Sequence, residues 1–258
     1  MSDTAERERM AAFMPAAWRR RVAACGGQVH EADGLSVCLT GVPLAPFNPT
    51  LIERLPDDPD AAIERAQAHY TGTGITLGID LEPSLHGPVR EAAKRRGLTM
   101  VESRPGMTVA LADVVPAPPP DGVELFRVES PALLDQVVDV DESAFGVEAA
   151  VTRRFLPDAV LEDPAQRVYA ARVDGRLVSV GESTTLDGVV GVFGVATDPG
   201  YRRRGIGAAL TAFLLADRAG EADLAVLDAS DLGEGVYARL GFAAMSTWEV
   251  WVREAHPA

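Results

Sequence analysis

Cysteine and histidine are scarce in this sequence, and their positions restrict the chemistry available to it. The 258 residues include two cysteines, Cys25 and Cys38, which form no Cys-x-x-Cys pair. This spacing argues against a disulfide framework and against a cysteine-based metal site. The four histidines are His30, His69, His86 and His256, so the C-terminal half holds one only in its tail. A Ser-His-Asp triad, a Cys-His dyad or a histidine-rich metal centre within that half is therefore not expected.

Long apolar runs and an excess of basic charge are also lacking. No apolar run reaches the length of a membrane span, and the N-terminal residues do not resemble a signal peptide, so we expect a cytoplasmic, reduced protein. The net charge of −14 argues against a nucleic-acid partner, because phosphate binding requires a basic face. The acidic charge either attracts cationic partners or simply keeps the protein soluble. The length allows one large domain or two of ordinary size.

One segment combines glycine, arginine and an apolar helix pattern in a way that predicts an anion site. Residues 195–210 read as an apolar strand, a Pro-Gly turn, three arginines, a Gly-x-Gly and an unbroken apolar helix. Glycines let successive backbone N–H groups point at one ligand, and the helix adds its unsatisfied first-turn N–H groups and the positive end of its dipole. Arginines add forked donors that suit phosphate. The segment therefore predicts a pyrophosphate site.

This segment resembles the R/Q-x-x-G-x-G/A signature of the GNAT superfamily of N-acetyltransferases, whose loop binds the pyrophosphate of acetyl-coenzyme A. Arg202 takes the R/Q position, and Gly205 and Gly207 are the two glycines. The loops of P-loop and dinucleotide-binding proteins have other spacings. The resemblance implies that the strand end binds the pantetheine arm and that the loop binds the pyrophosphate. The residues implied are Val195, Ala196, Thr197, Arg202, Arg203, Arg204, Gly205, Ile206, Gly207 and Ala208.

A second segment matches the same family further along the chain. Residues 224–230 read as a strand, and residues 234–242 resemble the family's helix with the pattern Y-x-x-L-G-F. Ser230 stands where many members have an asparagine that contacts coenzyme A. Tyr237 stands where they have the tyrosine proposed to protonate the departing thiolate. The alternative for Tyr237 is a half-buried helix residue whose hydroxyl has a local partner.

The general base is not evident from the sequence. Family members commonly carry a glutamate on the strand before the phosphate loop, but here that strand, Val189–Val195, has no carboxylate. Glu182 on the preceding strand and Asp228 on the strand after the loop are the nearest candidates. Each could equally be a solvated or ion-paired strand residue. We predict Glu182 and Tyr237 as the catalytic pair.

A proline-rich stretch divides the chain. Residues 115–122 are predicted to form a stiff linker, because prolines supply no N–H groups to a sheet. After it the predicted order is a strand, helices, three strands, the phosphate helix, a strand, a helix and a strand. The pairs Asp174-Gly175 and Asp187-Gly188 predict hairpin turns. This mixed α/β order resembles the acetyltransferase fold, so residues 123–258 are predicted to be the catalytic domain.

Residues 1–114 echo this order in a weaker form. The predicted elements are a helix over 61–68 capped by Asp60, a strand over 74–80, a helix from His86 and a strand over 107–111. Residues 55–60, before the first of these helices, contain acidic residues but no glycine or arginine, and they would repel a pyrophosphate. We therefore expect a degenerate acetyltransferase-like unit. The alternative is an unrelated α+β domain.

The resemblance implies an N-acetyltransferase of EC class 2.3.1, with acetyl-CoA as co-substrate and no metal. The acetyl group would pass by direct attack to an amine of a small molecule or peptide, in a monomer or homodimer without nucleic-acid or membrane partners. Two alternatives remain open: a non-catalytic acyl-CoA-binding sensor or partner-binding module, and a tandem acetyltransferase that makes a thiol conjugate or modifies an antibiotic. The intact R-x-x-G-x-G together with Tyr237 favours an enzyme. The sequence does not identify the acceptor.

Overall fold

The structure is a computed structural model that describes residues 3–253. The tail residue His256 therefore lies outside the described residues. Within the described range no helix is both long and apolar enough to cross a bilayer.

The chain forms two compact units. One contains the residues up to Gly106 together with those from Met245 onward, and the other runs from Met107 to Ala244. Two long strands, Leu98–Ala110 and Ala243–Arg253, each contribute residues to both units. For this reason the compact units differ from the segments 1–114 and 123–258 that the sequence suggests as domains.

The first unit is a mixed sheet with three helices among its described residues. Its elements are α1 (Asp3–Ala24), β1 (Gln28–Ala32), β2 (Leu35–Leu39), β3 (Thr50–Ile52), α2 (Pro59–Tyr70), β4 (Gly78–Leu81), α3 (Gly87–Arg95), β5 (Leu98–Ala110) and β11 (Ala243–Arg253). The strands lie in the order β1-β2-β3-β4-β11-β5. β3 and β4 are parallel and are joined by α2, whereas β11 is antiparallel to β4. Ile63 of α2, Val89 of α3 and Ile79 of β4 belong to its apolar core.

Both predicted helices of the first half are present, but some of their details differ. Asp58, and not Asp60, caps α2: its carboxylate accepts a hydrogen bond of 3.0 Å from the N–H of Ala61. Pro59 then takes the first helical position, which suits its missing N–H. The predicted strand over 74–80 is confined to β4, because the preceding residues form a turn with Gly72 and Gly74 in the left-handed region.

The second unit has the element order that the sequence predicts. Its elements are β6 (Val123–Val128), α4 (Pro131–Phe145), α5 (Ala149–Phe155), α6 (Ala159–Glu162), β7 (Gln166–Val173), β8 (Arg176–Leu186), β9 (Val189–Thr197), α7 (Ile206–Arg218), β10 (Leu224–Asp228) and α8 (Glu234–Arg239). The strands lie in the order β5-β10-β9-β8-β7-β6. β6 to β9 are antiparallel, and β9 is parallel to β10. The predicted mixed α/β class is confirmed.

Both predicted hairpin turns are confirmed by their backbone angles. Asp174 and Gly175 have φ values of 48° and 79°, and Asp187 and Gly188 have 49° and 76°. Positive φ at both central residues is the signature of a type I′ turn, which joins adjacent antiparallel strands. These turns fix the register of β7, β8 and β9, and β9 leads directly into the predicted anion site.

The proline-rich stretch packs against the second unit. Residues 114–120 form no regular element, as the prolines predict. The N–H of Val115 donates to the carbonyl of Leu240 at 2.9 Å, and Val114 and Ala117 lie against the apolar core of this unit. The stretch therefore lies within the second unit and contacts its core, rather than acting as a free spacer.

Candidate active site

Strands β9 and β10 separate part-way along their length. Their parallel pairing runs from Val189 opposite Leu224 to Gly191 opposite Val226, and both strands continue beyond it, β9 as far as Thr197. On its other side β9 is bulged: Val180 of β8 pairs with Ala196, but Glu182 pairs with Phe193. β9 therefore carries one extra residue at this point. A bulge re-aims a strand and its side chains, and bulges are common beside active sites.

A cavity of about 520 Å³ lies against this end of β9, and its walls come from the second unit. Eleven of the thirteen predicted site residues line it: Val195, Ala196, Thr197, Arg202, Arg203, Gly205, Ile206, Gly207, Ala208, Ser230 and Tyr237. Arg204 and Glu182 are not among the lining residues. The wall also contains residues that the sequence interpretation did not identify: Ala144, Phe145, Tyr201, Leu232, Gly233, Val236 and Arg239.

The first turn of α7 forms the anion-binding part of the cavity. Gly205, immediately before the helix, has φ of 82°, a left-handed conformation that favours glycine. No side chain caps the helix, so its first N–H groups are available to a ligand. A Cβ on Gly207 would lie 3.4 Å from Oγ1 of Thr197, an ordinary contact distance. The protein itself therefore tolerates a small side chain at Gly207, and the open space there faces the cavity.

The three arginines of the loop have different roles. Nε of Arg202 donates to the carbonyl of Thr197 at 3.0 Å, and its Nη2 donates to the carbonyl of Ala144 at 3.1 Å. Arg202 thus braces the end of β9 against the end of α4. Arg204 turns back instead: its Nη2 donates to the carbonyl of Gly200, and its guanidinium lies 4.9 Å from the ring centroid of Tyr201.

Two other arginines supply positive charge to the cavity. Arg203, which has φ of 61°, and Arg239 at the end of α8 both line it. Neither guanidinium makes a hydrogen bond or ion pair with any residue in the described range, whereas Arg202 and Arg204 are held by backbone carbonyls. Arg203 and Arg239 are therefore the cationic groups best placed to meet an anionic ligand.

Tyr237 lines the cavity and carries a protonated hydroxyl. Its ring is half-buried, lies against the backbone of Gly233 and meets the ring of Phe242 edge-on at 5.9 Å. Burial raises the pKa of Tyr237 to about 12, because desolvation disfavours the phenolate. The hydroxyl makes no hydrogen bond to a described residue. It is therefore protonated at neutral pH and free to interact with a ligand.

The two carboxylates that the sequence suggests as bases lie outside the cavity wall. Glu182 is buried on β8, with 8% of its surface exposed. Asp228 is the last residue of β10 and is half-buried. In residues 3–253 no group of three or more His, Cys, Asp or Glu side chains is placed to hold a metal ion.

Comparison with known families identifies the domain that carries this cavity. Residues 134–242 match the model of the acetyltransferase (GNAT) family. The matched range runs from Leu134 within α4 to Phe242, three residues after α8, and contains the loop, the uncapped helix and Tyr237. Residues 134–242 are therefore similar to the GNAT acetyltransferases, a family whose members transfer acyl groups. No curated protein sequence matches the chain.

Solved structures share the fold over both halves of the chain. A GCN5-related N-acetyltransferase from Kribbella flavida superimposes with a TM-score of 0.76 at 24% identity, covering 95% of this chain and 96% of its own. A functionally unknown conserved protein from Staphylococcus epidermidis ATCC 12228 gives 0.67 at 14% identity, covering 88% and 93%. A tandem GNAT protein from the clavulanic acid biosynthesis pathway gives 0.63 at 19% identity, covering 87% and 79%. At these identities the likeness establishes the fold.

Proposed function

We propose that this protein is an acetyl-CoA-dependent N-acetyltransferase that acetylates a primary amine of a small molecule or peptide. One observation carries the proposal: the uncapped start of α7, the separated end of β9 and the side chain of Tyr237 all line a single cavity. These are the parts that anion binding, thioester positioning and thiolate protonation require. The segments 1–114 and 123–258 are, in this proposal, a degenerate unit and the catalytic domain.

The cavity suits coenzyme A in both charge and polarity. The first N–H groups of α7 would bind the pyrophosphate, with Arg203 and Arg239 neutralising phosphate charge. The backbone of residues 195–197 would hold the pantetheine arm. Leu232 and Phe145 also line the cavity and are 82% and 60% exposed, the highest values among the exposed large apolar residues of the described chain. A ligand that covers exposed apolar side chains binds more favourably, because it removes their apolar surface from water.

The chemistry then follows from direct attack. The amine nitrogen forms a bond to the thioester carbonyl carbon, and the bond from that carbon to sulfur breaks. A backbone N–H at the end of β9 would stabilise the negative oxygen, and Tyr237 would donate its proton to the departing sulfur. The amine must also lose a proton, and Glu182 is the proposed acceptor. Holding both substrates side by side contributes a large part of the rate enhancement.

A binding assay followed by an activity assay tests this proposal. We expect acetyl-CoA to raise the melting temperature of the protein, because it binds only the folded state. We then expect release of free thiol from acetyl-CoA in the presence of at least one amine among spermidine, L-lysine, tyramine, glucosamine, an aminoglycoside and a peptide with a free N-terminus. Stabilisation without thiol release would favour the non-catalytic acyl-CoA-binding alternative. No stabilisation would contradict the proposal.

We expect one acetyl-CoA to bind per chain. In the first unit the start of α2, which corresponds in order to α7, is capped by the carboxylate of Asp58 and begins with Pro59. Its N–H groups are therefore partly used, and the carboxylate repels a phosphate. Isothermal titration calorimetry should give a stoichiometry of one. Two equivalent sites would contradict the assignment of the first unit as degenerate.

We also expect the exposed apolar pair to contribute to cofactor binding. Leu232→Ala and Phe145→Ala should each weaken acetyl-CoA binding by about fivefold, because each removes part of a side chain whose burial contributes on the order of 1 kcal/mol. Leu55→Ala is the matched control, because Leu55 is an exposed leucine of the first unit. Dissociation constants equal to that of the control would show that the pair does not contact the cofactor.

A further inference from the structure

Strand β9 has a glycine, Gly194, within its bulge and next to the side chain of Glu182 on β8. Gly194 is solvent-exposed and has φ of 55°, inside the step where the pairing with β8 shifts by one residue. A Cβ built on Gly194 would lie 3.2 Å from Oε1 of Glu182. A side chain at position 194 would therefore crowd the carboxylate of Glu182, whereas glycine leaves the space beside it open on the exposed side of the strand.

Glu182 lies on the opposite face of the sheet from α7. A Cβ on its neighbour Gly181 would lie 3.8 Å from Leu210, a residue of α7. Side chains alternate between the two faces of a strand, so Glu182 projects away from α7. The proposed pyrophosphate site is at the start of α7. The carboxylate thus reaches β9 from the side that the cofactor's phosphates do not occupy.

We propose that Gly194 is a positioning residue, because its lack of a side chain leaves the carboxylate of Glu182 open to the acceptor. The acceptor approaches past Gly194 as a primary ammonium ion. This inference rests on the proposed acetyltransferase function. A buried carboxylate attracts a cation and favours an alkyl ammonium over a neutral hydroxyl as the acceptor. Glu182 takes one proton from the ammonium ion, and the neutral nitrogen then forms its bond to the acetyl carbon. The nitrogen loses its second proton as the amide forms. Tyr237 protonates the sulfur, and one proton passes to solvent overall.

The same geometry accounts for the lack of a carboxylate on β9, where members of the family commonly carry the base. A side chain on residue 194 would start from the place that the carboxylate of Glu182 reaches from β8. The carboxylate that acts as the base is thus supplied by the neighbouring strand β8, and the glycine leaves room for it. Glu182 and Gly194 should then affect the same step of the reaction.

The test compares Gly194→Ala with Glu182→Gln and with the double variant. Gly175→Ala is the matched control, because Gly175 also has a positive φ of 79° but has no atom within 4 Å of its Cβ position. The assay measures kcat for thiol release from acetyl-CoA with spermidine and L-lysine, and calorimetry gives the acetyl-CoA dissociation constant. We expect Gly194→Ala and Glu182→Gln each to lower kcat by roughly 10²-fold. Both should leave the dissociation constant within twofold, and the double variant should lose no more than the worse single variant.

Several results would overturn the inference. One is a kcat of Gly194→Ala equal to that of Gly175→Ala, and another is losses that multiply in the double variant. If the melting temperature of Gly194→Ala is well below that of Gly175→Ala, the kcat of Glu182→Asp is the deciding measurement. This variant shortens the side chain, which moves the carboxylate away from β9, and it leaves Gly194 unchanged. A wild-type kcat in Glu182→Asp would contradict the role proposed for Glu182 and Gly194. A wild-type protein that binds acetyl-CoA but releases no thiol with any amine would overturn the proposed function and this inference together. An active wild-type protein with an unaffected Gly194→Ala would overturn this inference alone.

Discussion

Gly207→Val is expected to weaken acetyl-CoA binding by about 10²–10⁴-fold and to leave the protein folded. The valine side chain would fill the space in front of the first turn of α7, where the N–H groups that meet the pyrophosphate are unsatisfied. Hydrogen bonds to a charged group contribute about 1.5–3 kcal/mol each. The loss of two such bonds corresponds to a dissociation constant about 10²–10⁴-fold weaker. Calorimetry measures this constant directly.

The structure provides a graded series and a control for this experiment. A Cβ at Gly207 meets only Oγ1 of Thr197, at 3.4 Å, so Gly207→Ala should fold normally and bind with intermediate affinity. Gly87→Val is the matched control, because Gly87 also begins a helix and has no atom within 4 Å of its Cβ position. It should leave acetyl-CoA binding unchanged. A folded Gly207→Val protein with wild-type affinity would refute the anion-binding role of this loop.

Tyr237→Phe is expected to lower kcat by about 10²-fold without weakening acetyl-CoA binding. The change keeps the ring, its contact with Gly233 and its edge-on contact with Phe242, and it removes only the hydroxyl. A general acid contributes about 10²–10⁴-fold in rate. We expect the low end, because the thiolate of coenzyme A is a fair leaving group near neutral pH. Steady-state kinetics with the amine that gives the highest thiol release measure the effect.

The outcome of this substitution separates three roles for Tyr237. A fall in kcat at constant KM supports the acid role. A change confined to KM would show that the hydroxyl only binds a substrate. No change in either would make Tyr237 a packing residue and would favour the non-catalytic alternative. Tyr201→Phe removes the hydroxyl of the other tyrosine in the cavity wall and should leave kcat within about twofold.

The second unit could be predicted from sequence because its signals are local. Asp174-Gly175 and Asp187-Gly188 require positive φ at adjacent positions, which few residue pairs adopt, and both form the predicted turns. The break before α7 is likewise marked by Gly205, whose left-handed backbone lets the helix start without a side-chain cap. Short-range backbone constraints of this kind are readable in a single sequence.

Features that depend on distant contacts could not be predicted in the same way. The strand predicted over 107–111 is the end of the longer β5, and the pairing of β11 with β4 joins residues far apart in the chain. Asp58 and Asp60 are equally good capping residues by type, and only the path of the chain decides that Asp58 faces the N–H of Ala61. Local propensity carries no information on either point.

The cavity wall shows the same division. The residues of the loop belong to one continuous motif and were identifiable together. Phe145 and Arg239 are the last residues of α4 and α8, and Leu232 lies in the turn before α8. Exposed apolar or basic residues at such places have no distinctive sequence pattern. The sequence correctly placed Glu182 on the strand before β9. The face of the sheet and the opening at Gly194 follow from the bulge in β9, which no turn residue announces.

Transfer of the acetyl group from coenzyme A to an amine can be followed directly with a label. Acetyl-CoA labelled in its acetyl group is incubated with the protein and the amine panel, and transfer of label to an amine is measured for wild-type protein and for Gly207→Val. We expect amine-dependent transfer by the wild-type protein and none above background by the variant. Binding of acetyl-CoA without transfer to any amine, or equal transfer by both proteins, would contradict the proposed acetyltransferase activity at this loop.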